Sequence, residues 1–245
     1  MNEGTPAGPR TGRVGGGRVA YFGGSFDPPH MGHIAVARAA REALGLDRVL
    51  FAPVGAQPLK PQGASAGFDD RVAMTRLAIE SEPGFELSLA DAPSTSGAPN
   101  FTFETLHGLR TRLPGSCTLY LLVGADAFLG LRQWHRAAEI PFVAPLIVAS
   151  RPGQPLDNLR AALPAGLTMD PAPEAGHAGM GLEVYSLRNA AGAAAPFYLL
   201  PELDVEISAS EIRAQLRAAE AEKAPQRGLL PAAVAAYIRA HGLYR

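Results

Sequence analysis

The chain has a single cysteine, Cys117, which lies in the apolar run CTLYLLV. One thiol excludes an intramolecular disulfide and a thiolate metal cluster, so we expect Cys117 to be buried and inert. No apolar run approaches the roughly 20 residues that a membrane helix needs. The segment MNEGTPAGPRTGRVGGG lacks the apolar core of a signal peptide. We therefore expect a cytoplasmic protein with no membrane partner.

Excess charge of either sign is also missing. The chain has 22 Lys and Arg against 23 Asp and Glu, a formal net charge of -1. This balance gives no overall attraction to nucleic acid, so any anion site must be built locally from a few side chains. Hydrophobic residues are 47% of the 245 residues, enough for the core of one large domain. The oligomeric state stays open.

Short apolar runs alternate with longer amphipathic stretches, beginning with RVAYF, MGHIAVARAAREALGL and RVLFAPV. Apolar strands separated by helices predict an α/β fold with a doubly wound parallel sheet. Ligands of such sheets lie at the carboxyl ends of the strands. The stretches ISASEIRAQLRAAEAE and LPAAVAAYIRAHGLYR predict C-terminal helices.

Two segments interrupt this alternation. Residues 1–17 are small and polar and predict a disordered tail, which leaves 18–245 as a single domain. Residues 165–196 are rich in Ala, Gly and Pro and predict a surface insertion with at most one short strand, LEVYSL. The helical part of the domain is expected over 208–245.

The stretch GGSFDPPHMGH, Gly23 to His33, lies between the first strand and the first helix. Its glycines would let the backbone approach a ligand, although neither GxGxxG nor GxxxxGK[ST] is present. His30 and His33 are three residues apart at the start of the helix, so their side chains share one face with the helix-terminal amides. Imidazole donors beside the positive end of a helix dipole favour an anion site.

Two other interpretations of the histidine pair remain open at this point. Both side chains could be solvated or could cap the helix. A metal site would need at least one further ligand, and Asp27 is the near neighbour that could supply it.

GGSFDPPHMGH resembles the signature of the nucleotidyltransferase family whose hallmark is H-x-G-H, with Met31 at the variable position. ISASEIR resembles the second signature of that family, I-S-[ST]-[ST]-x-[IL]-R, in which serines and an arginine at a helix start bind nucleotide phosphates. Ala209 departs from it by replacing a hydroxyl residue. Ser208 and Glu211 also fit a capping box, which explains those two residues but not Arg213.

Motifs in the middle of the chain narrow the resemblance to one group of enzymes within this family. NFTFETL and LLVGADAFLGLRQWHRAAEI are similar to internal signatures of nicotinate-nucleotide adenylyltransferases, and the similarity spans about 18–164 and 197–245. The resemblance implies a Rossmann-like nucleotidyltransferase fold. It also implies an enzyme of NAD biosynthesis that joins nicotinate mononucleotide and ATP to give nicotinate adenine dinucleotide and pyrophosphate.

The resemblance also assigns roles to residues. The residues expected to be catalytic are His30, His33 and Arg213, which would contact the ATP phosphates, together with Lys60. Further residues expected to bind ATP are Gly23, Gly24, Ser25, Phe26, Ser208 and Ser210 at the phosphates, and Gly124 and Asp126 at the adenosine, where Asp126 would accept from the ribose hydroxyls. Lys60 is expected to bridge the phosphates of the two substrates. Leu59 stands where the subfamily usually has a histidine.

The mononucleotide would be bound by Thr102 and by Trp134, which would stack on its pyridine ring. Mg²⁺ would arrive with ATP and be held mainly by phosphate oxygens and water, since the sequence shows no acidic cluster for a dedicated cage.

Four alternative functions stay open. A related nucleotidyltransferase could act on nicotinamide mononucleotide or phosphopantetheine, or could transfer a cytidylyl group. A non-catalytic nucleotide-binding module is expected to lack some of the hydrogen-bond donors to the phosphates, whereas His30, His33 and Arg213 are all present.

Overall fold

The computed structural model describes residues 17–59, 63–150, 156–172, 181–201, 203, 207–222 and 228–245. Apart from residue 17, the predicted tail lies outside the described residues, and so does Lys60. The strands are β1 (Arg18–Gly24), β2 (Arg48–Pro53), β3 (Phe85–Leu87), β4 (Thr118–Gly124), β5 (Leu146–Ala149), β6 (Leu167–Pro171), β7 (Glu183–Asn189) and β8 (Ala194–Leu200). The helices are α1 (Met31–Leu44), α2 (Phe68–Ile79), α3 (Thr102–Arg112), α4 (Ala125–Leu129), α5 (Ile140–Val143), α6 (Leu156–Ala161), α7 (Ala209–Glu222) and α8 (Ala232–His241).

The strands form one sheet in the order β3-β2-β1-β4-β5-β8-β7-β6. The six strands from β3 to β8 in this spatial order are parallel to one another. Strand β7 pairs antiparallel with β8, and β6 pairs antiparallel with β7. The chain builds outward from β1 to β2 and β3, and then returns to place β4 on the other side of β1. A reversal of this kind leaves a crevice between the carboxyl ends of the two strands, here β1 and β4. The predicted doubly wound α/β sheet is confirmed.

Both faces of the parallel part of the sheet are buried, which explains why β1, β2, β4 and β5 are apolar almost without interruption. On β1, Val19 and Tyr21 enter one core, whereas Ala20 and Phe22 enter the other. Helices α3 to α6 cover the first face and α1, α2, α7 and α8 cover the second.

The prediction of a surface insertion over 165–196 is wrong. This segment contains β6, β7 and the start of β8, which extend the sheet by an antiparallel pair. Met169, Tyr185 and Leu187 from these strands are buried in the core that also contains β1. A strand with one buried face needs only alternate apolar residues. Such alternation is hard to recognise in a stretch so rich in Ala, Gly and Pro.

Other sequence predictions agree with the structure. Cys117 is buried directly before β4, and α7 and α8 form the expected C-terminal helices. Within the described part of the chain, no helix is long and apolar enough to span a bilayer.

Candidate active site

The turn from Gly23 to His30, called the glycine turn below, joins β1 to α1. A Cβ at Gly23 would clash with the hydroxyl oxygen of the buried Tyr21, so packing favours glycine there. Phe26 has a φ of 46°, a left-handed conformation that is a genuine outlier for an aromatic residue. Its ring is buried against Phe22 and Phe51. Strained backbone held by a packed side chain is typical of functional turns.

The two histidines lie together at the start of α1, as their spacing predicts. Their ring centroids are 3.7 Å apart, and the backbone N–H of His30 donates to Nδ1 of His33 at 3.1 Å. Burial and the nearby His30 ring lower the pKa of His33 well below its ordinary value. A neutral ring that accepts at Nδ1 carries its proton on Nε2. His33 is therefore an uncharged hydrogen-bond donor through Nε2 at neutral pH.

Asp27 lies inside the glycine turn and is 4% exposed. Its carboxylate accepts hydrogen bonds from the backbone N–H groups of Ser65 at 2.6 Å and Ala66 at 3.0 Å. It accepts a third from the hydroxyl of Tyr244 at 2.7 Å. Three of the roughly four lone-pair positions of this carboxylate are therefore occupied by hydrogen-bond donors. The described residues hold no group of three His, Cys, Asp or Glu side chains suited to a metal ion.

The second motif meets the first at Asp27. Arg213 of α7 donates through Nη1 to the Asp27 carbonyl at 2.7 Å, across a sequence separation of 186 residues. Its Nη2 donates to Ser210 Oγ at 3.2 Å. Ser208 Oγ accepts the Glu211 N–H at 3.2 Å, so the predicted cap is present. A hydroxyl that accepts can still donate its own proton, and capping therefore leaves Ser208 able to contact an anion.

The carboxyl end of β4 is open. The β1–β4 register pairs Tyr21 with Leu121, so Gly24 and Gly124 end their strands at the same level. A Cβ on Gly124 would meet no atom within 4 Å. Asp126 follows in the exposed first turn of α4. These residues form the far wall of the crevice that begins at the glycine turn.

Thr102 and Trp134 lie in segments that contact each other. Thr102 is the first residue of α3, and the ring of Phe101 before it lies 4.7 Å from the ring of His135. Nε2 of His135 is 3.3 Å from a carboxylate oxygen of Glu104. Trp134 is partly buried and lines an open cleft of about 510 Å³. The structure thus brings the segments that carry both predicted mononucleotide-binding residues to one region, through the contacts of His135 with Phe101 and Glu104.

A buried polar cluster around Asp91 connects these regions. Tyr21 and Thr105 both donate hydrogen bonds to the Asp91 carboxylate, and the Gly55 N–H donates to the Asp91 carbonyl at 2.8 Å. Burial raises the pKa of Asp91. Burial and the Asp91 charge raise the pKa of Tyr21. Asp91 thereby links β1, α3 and the loop after β2, three elements that carry predicted site residues.

Comparison with known proteins identifies the family. The family model described as Cytidylyltransferase-like matches residues 21–215. Proteins named "Probable nicotinate-nucleotide adenylyltransferase" are 40% identical in Stenotrophomonas maltophilia, over 92% of this chain and 96% of that protein, and 34% identical in Trichlorobacter lovleyi, over 93% and 99%. The chain belongs to the nicotinate-nucleotide adenylyltransferase family. A solved Plasmodium falciparum nicotinic acid mononucleotide adenylyltransferase complexed with NaAD shares its fold, with a TM-score of 0.64 at 15% identity over 93% of this chain and 97% of that one.

Sequence reasoning missed several residues of this nicotinate-nucleotide adenylyltransferase family member. The sequence suggests Asp27 only as a metal ligand, whereas in the structure its carboxylate and carbonyl join four segments of the chain. Arg71 is 3% exposed and donates to the Ser25 carbonyl at 2.8 Å. Nothing near Arg71, Asp91 or Tyr244 in the sequence signals these contacts, because each partner is distant along the chain. Leu59, at the position where the family usually has histidine, is 50% exposed.

Proposed function

We propose that this protein is an adenylyltransferase that joins nicotinate mononucleotide to the AMP part of ATP, forming nicotinate adenine dinucleotide and pyrophosphate for NAD biosynthesis. The contact between Arg213 and the Asp27 carbonyl carries the proposal, because it unites the two phosphate-binding motifs in one crevice. The names of the bacterial relatives point to the same reaction. We propose the cytoplasm as its location.

The reaction needs no side chain that acts as a general base. A phosphate oxygen of the mononucleotide, already anionic, attacks the α-phosphorus of ATP while the bond from that phosphorus to the oxygen bridging to the β-phosphate breaks. Pyrophosphate leaves with the bonding electrons. The protein must therefore align two repelling anions and stabilise the charge that develops on the transferred and leaving phosphates.

The glycine turn and α7 supply donors from opposite sides. We assign the Nε2–H of His33, together with His30 and the backbone amides of Gly24 to Phe26, to the ATP phosphates. Fixed donors of this kind can stabilise developing charge without reorganising. From the side of α7, Ser208, Ser210 and Arg213 would contact the triphosphate. Because the His33 ring is neutral, it contributes a directed hydrogen bond rather than a full positive charge.

The remaining assignments follow the same crevice. Gly124 offers open space for the adenosine, and Asp126 would accept from its ribose hydroxyls. Thr102 at the start of α3, and Trp134, which lines the neighbouring cleft, would contact the pyridine ring. Lys60, outside the described residues, is proposed from the family resemblance alone to bridge the two phosphates.

Mg²⁺ is proposed to enter with ATP. Asp27, the buried carboxylate of the glycine turn, is already engaged by three donors. Within the described ranges, no cluster of three ligating side chains was found. This donor set fits an ion held mainly by phosphate oxygens and water, where it would neutralise charge on the phosphates.

The test is pyrophosphate release from ATP and Mg²⁺ with nicotinate mononucleotide, nicotinamide mononucleotide or phosphopantetheine as acceptor. We expect nicotinate mononucleotide to give the highest kcat/KM, by at least roughly tenfold over its amide, the scale of one charge-assisted hydrogen bond. Equal kcat/KM values for the two mononucleotides would contradict the assignment of nicotinate mononucleotide as the substrate, but not adenylyl transfer as the reaction class. Release with phosphopantetheine alone, or with no acceptor, would overturn the proposal.

A further inference from the structure

Tyr244 occupies a conformation that needs explaining. Gly242, with a φ of 58°, ends α8 in the left-handed region, and two residues later Tyr244 has a φ of 64°. The left-handed region is uncommon for a residue with a bulky side chain and costs free energy. This backbone conformation buries the ring of Tyr244 and lets its hydroxyl donate to Asp27.

The two oxygens of the Asp27 carboxylate accept different numbers of hydrogen bonds. Oδ1 accepts from the Tyr244 hydroxyl and the Ala66 N–H, whereas Oδ2 accepts from the Ser65 N–H. Burial, followed by the hydrogen bond to Asp27, raises the pKa of Tyr244 far above its ordinary value, so the hydroxyl keeps its proton and remains a donor. Without that donor the buried carboxylate would keep only the N–H groups of Ser65 and Ala66, and a buried charge that loses a hydrogen bond is destabilised.

Two guanidinium groups lie close enough to respond. Arg71 is buried and is held by hydrogen bonds to the Ser25 and Ala66 carbonyls. Arg213 is partly exposed, and its Nη1 lies 3.9 Å from Asp27 Oδ2, just beyond a direct hydrogen bond. Nη1 of Arg213 donates to the Asp27 carbonyl, so on loss of the Tyr244 hydroxyl Arg213 is the guanidinium with a short path to the carboxylate, and that shift would take it away from the crevice.

We propose that Tyr244 is a positioning residue for ATP: its hydroxyl satisfies the Asp27 carboxylate and so leaves the Arg213 guanidinium directed at the nucleotide phosphates. This inference rests on the proposed contact between Arg213 and the ATP phosphates. Tyr244 touches no substrate and acts through Asp27 and Arg213.

The test compares Tyr244→Phe with a matched control, Tyr237→Phe. Tyr237 of α8 also donates to an aspartate, Asp70 of α2, at 2.9 Å, but that bond lies outside the glycine turn. We expect Tyr244→Phe to raise the KM for ATP about tenfold, the effect of one hydrogen bond to a charged group. The KM for the mononucleotide should stay unchanged, and Tyr237→Phe should alter neither KM.

A purely structural role predicts a different outcome. It would lower the melting temperature and the amount of active enzyme without changing the KM for ATP selectively. Equal KM values in Tyr244→Phe and the control would overturn the inference. A second readout is coupling to Arg213: in an Arg213→Ala background, Tyr244→Phe should raise the KM for ATP no further. Additive effects would show that Tyr244 does not act through Arg213.

The inference and the proposed function fail in distinguishable ways. If the wild-type protein releases no pyrophosphate with any acceptor, the proposed function is wrong. The rise in melting temperature on adding ATP and Mg²⁺ without acceptor then still tests Tyr244, since ligand binding stabilises the folded state. We expect a smaller rise in Tyr244→Phe than in Tyr237→Phe. An equal rise in the two variants refutes the positioning role.

Discussion

Replacement of His33 by alanine tests the proposed chemistry most directly. The variant loses the Nε2–H that we assign to a phosphate oxygen. Removal of a donor to developing transition-state charge typically lowers turnover by about 10²- to 10³-fold. The variant also loses the acceptor for the His30 N–H and the ring contact with Phe26 at 4.9 Å. Those losses should lower the free energy of unfolding by about 1–2 kcal/mol.

Two further variants separate these effects. Asparagine at position 33 can place an amide oxygen where Nδ1 accepts the His30 N–H, so it should restore stability but not turnover. Glutamine can place an amide N–H near the Nε2 position, so it should restore part of the turnover but not the stability. Turnover is measured by pyrophosphate release in excess Mg²⁺, and stability by urea unfolding. Normal turnover in a folded His33→Ala protein would refute the account, as would activity that requires a transition metal.

The same residue predicts a dependence of stability on pH. The pKa of His33 is lowered in the folded protein, so between that pKa and the unfolded value of about 6.5 the unfolded chain holds more protons. The free energy of unfolding should therefore fall as the pH drops below about 6.5, by at most about 1.4 kcal/mol per pH unit from this residue. Above that pH its contribution is constant. His33→Asn should remove this part of the slope, and an unchanged slope would show that folding does not lower the pKa of His33.

Three other substitutions probe the fold and the crevice. Gly124→Ala places a methyl group in open space, so we expect urea unfolding within about 0.5 kcal/mol of wild type but a several-fold higher KM for ATP; an unchanged KM would mean that adenosine binds elsewhere. Gly23→Ala forces the Cβ against the buried Tyr21 hydroxyl and should cost about 1–3 kcal/mol of stability, which a wild-type unfolding curve would contradict. Leu187→Ala in β7 removes a fully buried side chain and should cost about 2–5 kcal/mol; a loss below about 0.5 kcal/mol would show that β7 is peripheral.

Local patterns in the sequence were enough for much of the fold. The run RVAYF predicts β1 because apolar residues on both faces of a strand require a buried parallel sheet. The spacing of His30 and His33 predicts a shared face because three residues make about one helical turn. Both predictions depend on residues that are close in sequence, and the structure agrees with both.

The parts that sequence reasoning missed depend on distant partners. Asp27 looks like an exposed turn residue until the chain brings Tyr244 and the 65–66 segment against it. Asp91 is a buried acid whose donors, Tyr21 and Thr105, come from separate elements. The single-residue preferences of aspartate give no indication of either environment, because burial of a charge is tolerated only where partners satisfy it.

The two outermost strands of the sheet affect how the protein meets other chains. An uncovered strand edge offers N–H and C=O groups with which another chain can pair. At one end β3 has only 3 residues, which is too short to template a long pairing. At the other end β6 carries the exposed Asp170 and finishes with Pro171, which has no N–H to donate. The antiparallel pair that enlarges the core thus ends the sheet in a strand that discourages edge-to-edge aggregation.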